Sequence, residues 1–274
     1  MVANALVDAY QAQQAELTKR VVNFASAAWL ASPSKRDADV DRFIARVAPA
    51  VRAGQVQSAR LANVFVGRAA VLDDVEFEAV PVDESAVVVY RGTPAEVVYR
   101  RPAVTTYTAL SQGAAFDAAV AEGARRLIGL VSTDLQQARN RQMTAALGGS
   151  GYRYFIRYLT GAEDCALCTI ASTQRYTRGD LMPIHPGCDC GVKPLQSRRD
   201  PGQVINQDLL DATHAEIEHH LGSSDRGARV LPGGAGQDGL SDYTDLLITR
   251  EHGELGPTLV WRDHKFTGPG DIAD

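Results

Sequence analysis

All four cysteines of this 274-residue chain fall in one stretch, DCALCTIASTQRYTRGDLMPIHPGCDCGV at 164–192, together with one of its six histidines. Cys165 and Cys168 form a Cys-x-x-Cys pair. At that spacing two thiolates can chelate one ion from a tight turn, because the backbone folds back around the metal. Sixteen intervening residues lead to a second arm, His185-x-x-Cys188-x-Cys190. Pairing the arms gives a tetrahedral Zn2+ site, held either by three cysteines and the histidine or by all four cysteines. Cys165, Cys168, His185, Cys188 and Cys190 are five candidates for four positions, so one of them does not bind the metal directly. Pro183 and Pro186 bracket His185 and stiffen its loop, which reduces the entropy lost on binding.

Other chemistries fit the stretch less well. An even cysteine count allows two disulfides, but the cytoplasmic origin expected of the chain disfavours them. A redox Cys-x-x-Cys pair belongs at the start of a helix in a βαβ setting and leaves the second arm unexplained. Unrelated buried thiols do not bunch in this way. Catalytic zinc needs an open coordination position and a nearby general base. Here thiolates outnumber the other ligands, which lowers Lewis acidity, and Glu163 and Asp164 belong to no H-E-x-x-H pattern. The expectation is therefore a structural zinc site with no catalytic residues. Nucleic-acid binding through a zinc knuckle is a separate reading of the same stretch. Seven basic residues face five acids between 151 and 200, with tyrosines and one phenylalanine interleaved. An excess of two is too small to carry phosphate neutralisation alone.

The rest of the chain must position these arms. It is 45% hydrophobic and 22% charged with a formal net charge of −5, the balance of an ordinary globular protein. The first twenty residues turn polar early and lack a basic segment followed by an apolar core, so no signal peptide is expected. No run approaches the 18 or so apolar residues of a membrane span, so synthesis in the cytoplasm and no membrane partner are expected.

Residues 3–31 read as a helix, with Leu6, Tyr10, Leu17, Val21, Phe24 and Trp29 near one stripe. After Ser32-Pro33 an Asp-rich restart leads into a second helix, either alone or followed by a third, up to about residue 70. Residues 71–107 mix short β-branched runs, prolines and acids; strands around Val87–Tyr90 and Val97–Tyr99, or an extended arm, fit equally. The strongest helix spans about Leu110 to Leu147, with Phe116, Val120, Leu127, Val131 and Leu135 at helical steps and Gly123 and Gly129 as weak points. Its length is roughly 50 Å. YRYFIRYL at 152–159 alternates as a half-buried strand would, with Arg153 and Arg157 on the polar positions. NQDLLDATHAEIEHHLG at 206–222 reads as a helix with Leu209, Leu210 and Ile217 inward, and a Gly-rich loop follows. The tail ends in an apolar run around Leu246–Ile248 and Leu259–Trp261, suited to docking. The fold class is mainly α with minor β. It divides into a helical region (1–70), an extended segment (71–107), a core with a long central helix and the zinc-braced loops (108–196), a helix with a flexible loop (197–240) and an extended C-terminal docking tail (241–274).

The combination C-A-L-C … M-P-I-H-P-G-C-D-C-G-V, preceded by a long helix carrying STDLQQARNRQ, resembles the Mu protein F-like family of phage minor head (head morphogenesis) proteins. It is most similar to the forms found in tailed phages of actinobacteria, and REHGELGPTLVWRDHKFTGPGDI resembles their C-terminal segment. The resemblance covers roughly residues 95–195 and 245–272. It implies a minor capsid component of the virion, placed near the portal vertex. Its implied partners are the portal protein and the major capsid or scaffolding protein, with packaged DNA as a further candidate. It also implies that Cys165, Cys168, His185, Cys188 and Cys190 occupy the family's metal-binding positions. Two other functions stay open beside it: a capsid maturation protease, although no triad is readable, and a DNA-binding protein that takes part in genome ejection.

Overall fold

Apolar side chains at three- and four-residue steps from 116 to 148 wind into one continuous helix, and the other helices surround it. The computed structural model describes residues 4–90, 92–158, 172, 175–177, 191–196, 247–252 and 256–261. In chain order their elements are α1 (Asn4–Ala31), α2 (Asp37–Asp73), α3 (Glu84–Val88), α4 (Ala95–Val98), α5 (Arg101–Ser111) and α6 (Phe116–Gly148), followed by β1 (Tyr154–Tyr158), β2 (Arg175–Thr177), β3 (Gly191–Leu195), β4 (Leu247–His252) and β5 (Gly256–Trp261). The described chain is mainly helical with a small three-stranded sheet and a separate two-stranded hairpin. None of its described helices is long and apolar enough to cross a membrane.

Helices α1, α2 and α6 bury their stripes against one another. One cluster gathers Trp29, Phe43, Val47, Val51, Leu127 and Leu135; a second gathers Tyr10, Phe65, Met143, Leu147, Tyr152 and Phe155. A polar layer ties the three helices. The Gln14 amide donates to the Ser58 carbonyl at 3.0 Å, and the Ser58 hydroxyl lies 2.7 Å from Gln14 Oε1 and 3.1 Å from the Leu135 carbonyl. The α1–α2 turn is closed by Lys35, which adopts φ 55° and donates its ammonium to the Trp29 and Ser32 carbonyls at the end of α1. A cation there complements the negative end of the helix dipole.

One reading is narrowed and two change. Of the one or two helices expected between Pro33 and residue 70 there is one, 37–73, and Pro49 sits inside it. The hydrogen bond that proline removes is outweighed by the burial of Val47 and Val51 on either side. The long helix begins at Phe116 rather than Leu110, because α5 stops at Ser111 and Gly113 takes φ 92°, a conformation open to glycine. Val87–Tyr90 and Val97–Tyr99 form neither strands nor an extended arm: α3 is a short helix against α2 and α6, and α4 one against α2. The carboxylate of Asp83 caps α3, accepting from the Ser85 and Ala86 amides at 2.9 and 3.2 Å. The hydroxyls of Tyr90 (2.7 Å) and Tyr99 then donate to the two oxygens of buried Asp134 on α6.

Gly123 is a crossing point in α6 and no weak point. A Cβ there would come within 2.7 Å of the Pro102 carbonyl oxygen and 2.8 Å of the Trp29 ring, whereas one at Gly129 would meet nothing within 4 Å. Gly123→Ala is expected to destabilise the protein by about 1–3 kcal/mol through overpacking. Gly129→Ala is expected to stabilise it by up to about 1 kcal/mol through helix propensity. Paired urea melts read both signs; two stabilising results would contradict the crossing.

Candidate metal centre

The sheet that carries the cysteine arms has the strand order β2-β1-β3, with both pairings antiparallel. Phe155 stacks on Tyr176, its cross-strand partner, with ring centroids 5.1 Å apart, and both join Val192 in the core cluster of Tyr10, Phe65 and Leu147. One sheet face therefore closes the end of the helical bundle. Arg157 is buried here, only 2% exposed, on the same side as Phe155 and opposite Val192. This differs from the half-buried strand expected of YRYFIRYL: the side that packs on the helices includes an arginine, while Arg153, outside the pairing, is exposed.

Asp73, at the end of α2, fixes the sheet to the helices. The Tyr152 hydroxyl donates to its carboxylate at 3.0 Å, and the Gln196 amide donates to its backbone carbonyl. Burial, and then the nearby carboxylate, push the Tyr152 hydroxyl well above the ordinary tyrosine range, so it stays a donor throughout the working pH range. Asp74 turns into the left-handed region at φ 53° and its N–H bonds back to the Ala70 carbonyl, ending α2. The chain then pairs with the end of α6: Glu78 N–H donates to Gly149 O, and Gly151 N–H to Glu76 O, both at 2.8 Å.

Cys165, Cys168, His185, Cys188 and Cys190 all lie outside the described residues. What is described is the frame around them. Residues 159–174 leave β1 after Tyr158 and enter β2 at Arg175, which pairs with Ile156, so both ends of this connection open at the Tyr158 end of the sheet. Residues 178–190 leave β2 at Thr177, opposite Tyr154, and reach β3 at Gly191, opposite Tyr158. That connection must cover the length of a five-residue strand, roughly 17 Å. Fully extended it would reach roughly 45 Å, so slack remains. The Cys-x-x-Cys arm is thus anchored at the sheet end where Cys190 joins β3. The donor set, thiolates with one imidazole, suits zinc. Among the described residues no group of three or more His, Cys, Asp or Glu side chains could hold a metal.

Two features escaped the sequence reading. At this end of the sheet the Tyr158 ring lies directly on Gly191, so close that a Cβ on Gly191 would come within 2.8 Å of Tyr158 Cε1 and nearer still to Cζ and Oη. The only signal was the glycine that follows Cys190. The second feature is a cleft of about 650 Å3 between α2, α4 and α6 that reaches Asp134. Because both oxygens of that carboxylate accept tyrosine hydroxyls, Asp134 holds the α3–α4 segment in place.

Gly191→Ala is expected to destabilise the sheet by about 1–3 kcal/mol while Tyr158 is present, and by less than about 1 kcal/mol in a Tyr158→Leu background. A double-mutant cycle by urea denaturation measures this coupling; additive costs would show that the ring contact is not what forbids a side chain at 191. Comparison with protein-family models, with curated proteins and with solved structures returns no match to this chain.

Proposed function

We propose that this chain is a minor head protein of a tailed phage, a structural component that associates with the portal and with the major capsid or scaffolding protein while the procapsid assembles. A structural zinc ion would be held by four of Cys165, Cys168, His185, Cys188 and Cys190. The observation that carries the reading is the arrangement C-A-L-C … H-P-G-C-D-C-G-V, the part of the sequence that resembles the Mu protein F-like family. Physical chemistry supports it as well. The arms are borne by the connections of a sheet whose strands have 5, 3 and 5 residues, too small to fix both long loops by its own core. A metal clip substitutes for that missing core. When bound, zinc supplies a rigid tetrahedral cross-link. The chain's own residues supply the frame: Asp73 seats the sheet, and Tyr158 and Gly191 close the end where the arms begin. The N-terminal helices and the apolar C-terminal tail are the docking surfaces of this reading, and the virion near the portal vertex is its location.

The test is co-expression with a portal protein from the same genome, followed by co-purification, zinc analysis and melting with and without chelator. The expected result is retention on the portal, about one zinc per chain, and a melting temperature lowered by several degrees on chelation. No zinc and an unchanged melting temperature would overturn the metal reading; no retention would overturn the portal partnership. Cleavage of procapsid proteins that is lost on a single Ser or Cys substitution, with the fold retained, would make the chain a maturation protease instead. DNA affinity falling steeply with salt would make it an ejection protein.

A further inference from the structure

The outer surface of α2 carries an apolar stripe that helix packing leaves open: Val64, Val71 and Leu72 are 52%, 82% and 55% exposed. With Leu6 and Phe77 they line a groove of about 500 Å3, in which Arg68 is the only ionisable lining residue among the described residues. Isolated exposed apolar residues are ordinary, but a contiguous groove calls for an occupant.

The place where the chain leaves the described structure points to one. The last residue described after β3 is Gln196, and its side chain donates to the carbonyl of Asp73, the residue next to Leu72. The continuation from Ser197 therefore starts at the end of the groove. Nine residues, 197–205, separate this exit from 206–222, the segment that the sequence reads as an amphipathic helix. Nine residues reach about 30 Å at full extension, while the exposed stripe from Val64 to Leu72 runs only about 12 Å along α2. The segment brings Leu209, Leu210, Ile217 and Leu221, and its acids Asp208, Asp211, Glu216 and Glu218 complement Arg68. A tether of this length gives millimolar effective concentration, well above that of a separate molecule in dilute solution.

We propose that residues 206–222 of the same chain dock in the α2 groove, covering Val64, Val71 and Leu72 with their own apolar side chains. This proposal stands independently of the phage reading.

Hydrogen–deuterium exchange of the full-length protein tests it, with a double variant, Val64→Asp with Val71→Asp, at positions exposed enough to leave the bundle intact. In the parent protein, amides of 206–222 are expected to exchange at least about tenfold slower than an unstructured peptide. In the variant they should lose that protection while amides of α6 keep theirs. Leu210→Asp with Ile217→Asp, on the segment itself, should give the same loss and covers the case in which the α2 variant fails to fold. Unprotected 206–222 amides in the parent protein would overturn the proposal, as would protection that survives both variants. Protection that depends on protein concentration, with a dimer in sedimentation that the α2 variant dissolves, would assign the groove to a second copy and equally overturn it.

Discussion

A helix enclosed on several sides must have its polar side chains satisfied by its neighbours, and α6 carries Asp134, Gln137, Asn140 and Gln142 in buried positions. Two of these side chains, Asp134 and Gln142, set the path of the segment that crosses α6. Asp134 draws in the hydroxyls of Tyr90 and Tyr99, and Gln142 donates to the Val80 carbonyl at 3.0 Å. Residues 75–100 are consequently laid across α6 as a strap, with α3 and α4 as the short helical pieces that deliver the two tyrosines. Leaving such a carboxylate buried with one donor fewer costs about 1–3 kcal/mol, which is a large share of a typical domain's stability.

The same logic continues at the far end of the bundle. Asp73 stands at the C-terminus of α2, where a negative charge is unfavourable to the helix dipole. The Tyr152 hydroxyl and the Gln196 amide meet it there, and through them the chain before β1 and the chain after β3 are fixed to the end of α2. Lys193 adds a 3.4 Å contact to Asn4 at the start of α1. The sheet is thus held at its central strand and at its β3 edge, and the connections that carry the cysteines and His185 begin and end on a frame that the helices have set in place.

How much of this was legible in the sequence follows from the range of the interactions. The stripes of α1, α2 and α6 are local repeats, so periodicity found them, Pro49 notwithstanding. The boundary between α5 and α6 needed attention to Gly113, whose signal is a single residue. The strap was not legible, because Asp134 lies 44 residues from Tyr90 and 35 from Tyr99, and no local pattern encodes such pairs. Arg157 misled for a related reason: an arginine alternating with apolar residues looks solvated until the packing of Phe155 and Val192 on the helices buries its side of the strand. At the candidate site the sequence displays the types and spacing of the candidate ligands, a chemical pattern, and their arrangement lies outside the described residues. The contact of Tyr158 with Gly191 was not legible, since it joins residues on two strands.

Closure of the two cysteine arms on one metal at the Tyr158 end of the sheet is the step on which the proposed function rests most heavily. X-ray absorption at the zinc edge of the purified full-length protein tests it most directly. The expected result is a four-coordinate shell dominated by sulfur at about 2.3 Å, with at most one imidazole nitrogen at about 2.0–2.1 Å. An oxygen-rich shell, or protein that purifies without zinc from zinc-replete cells, would contradict it.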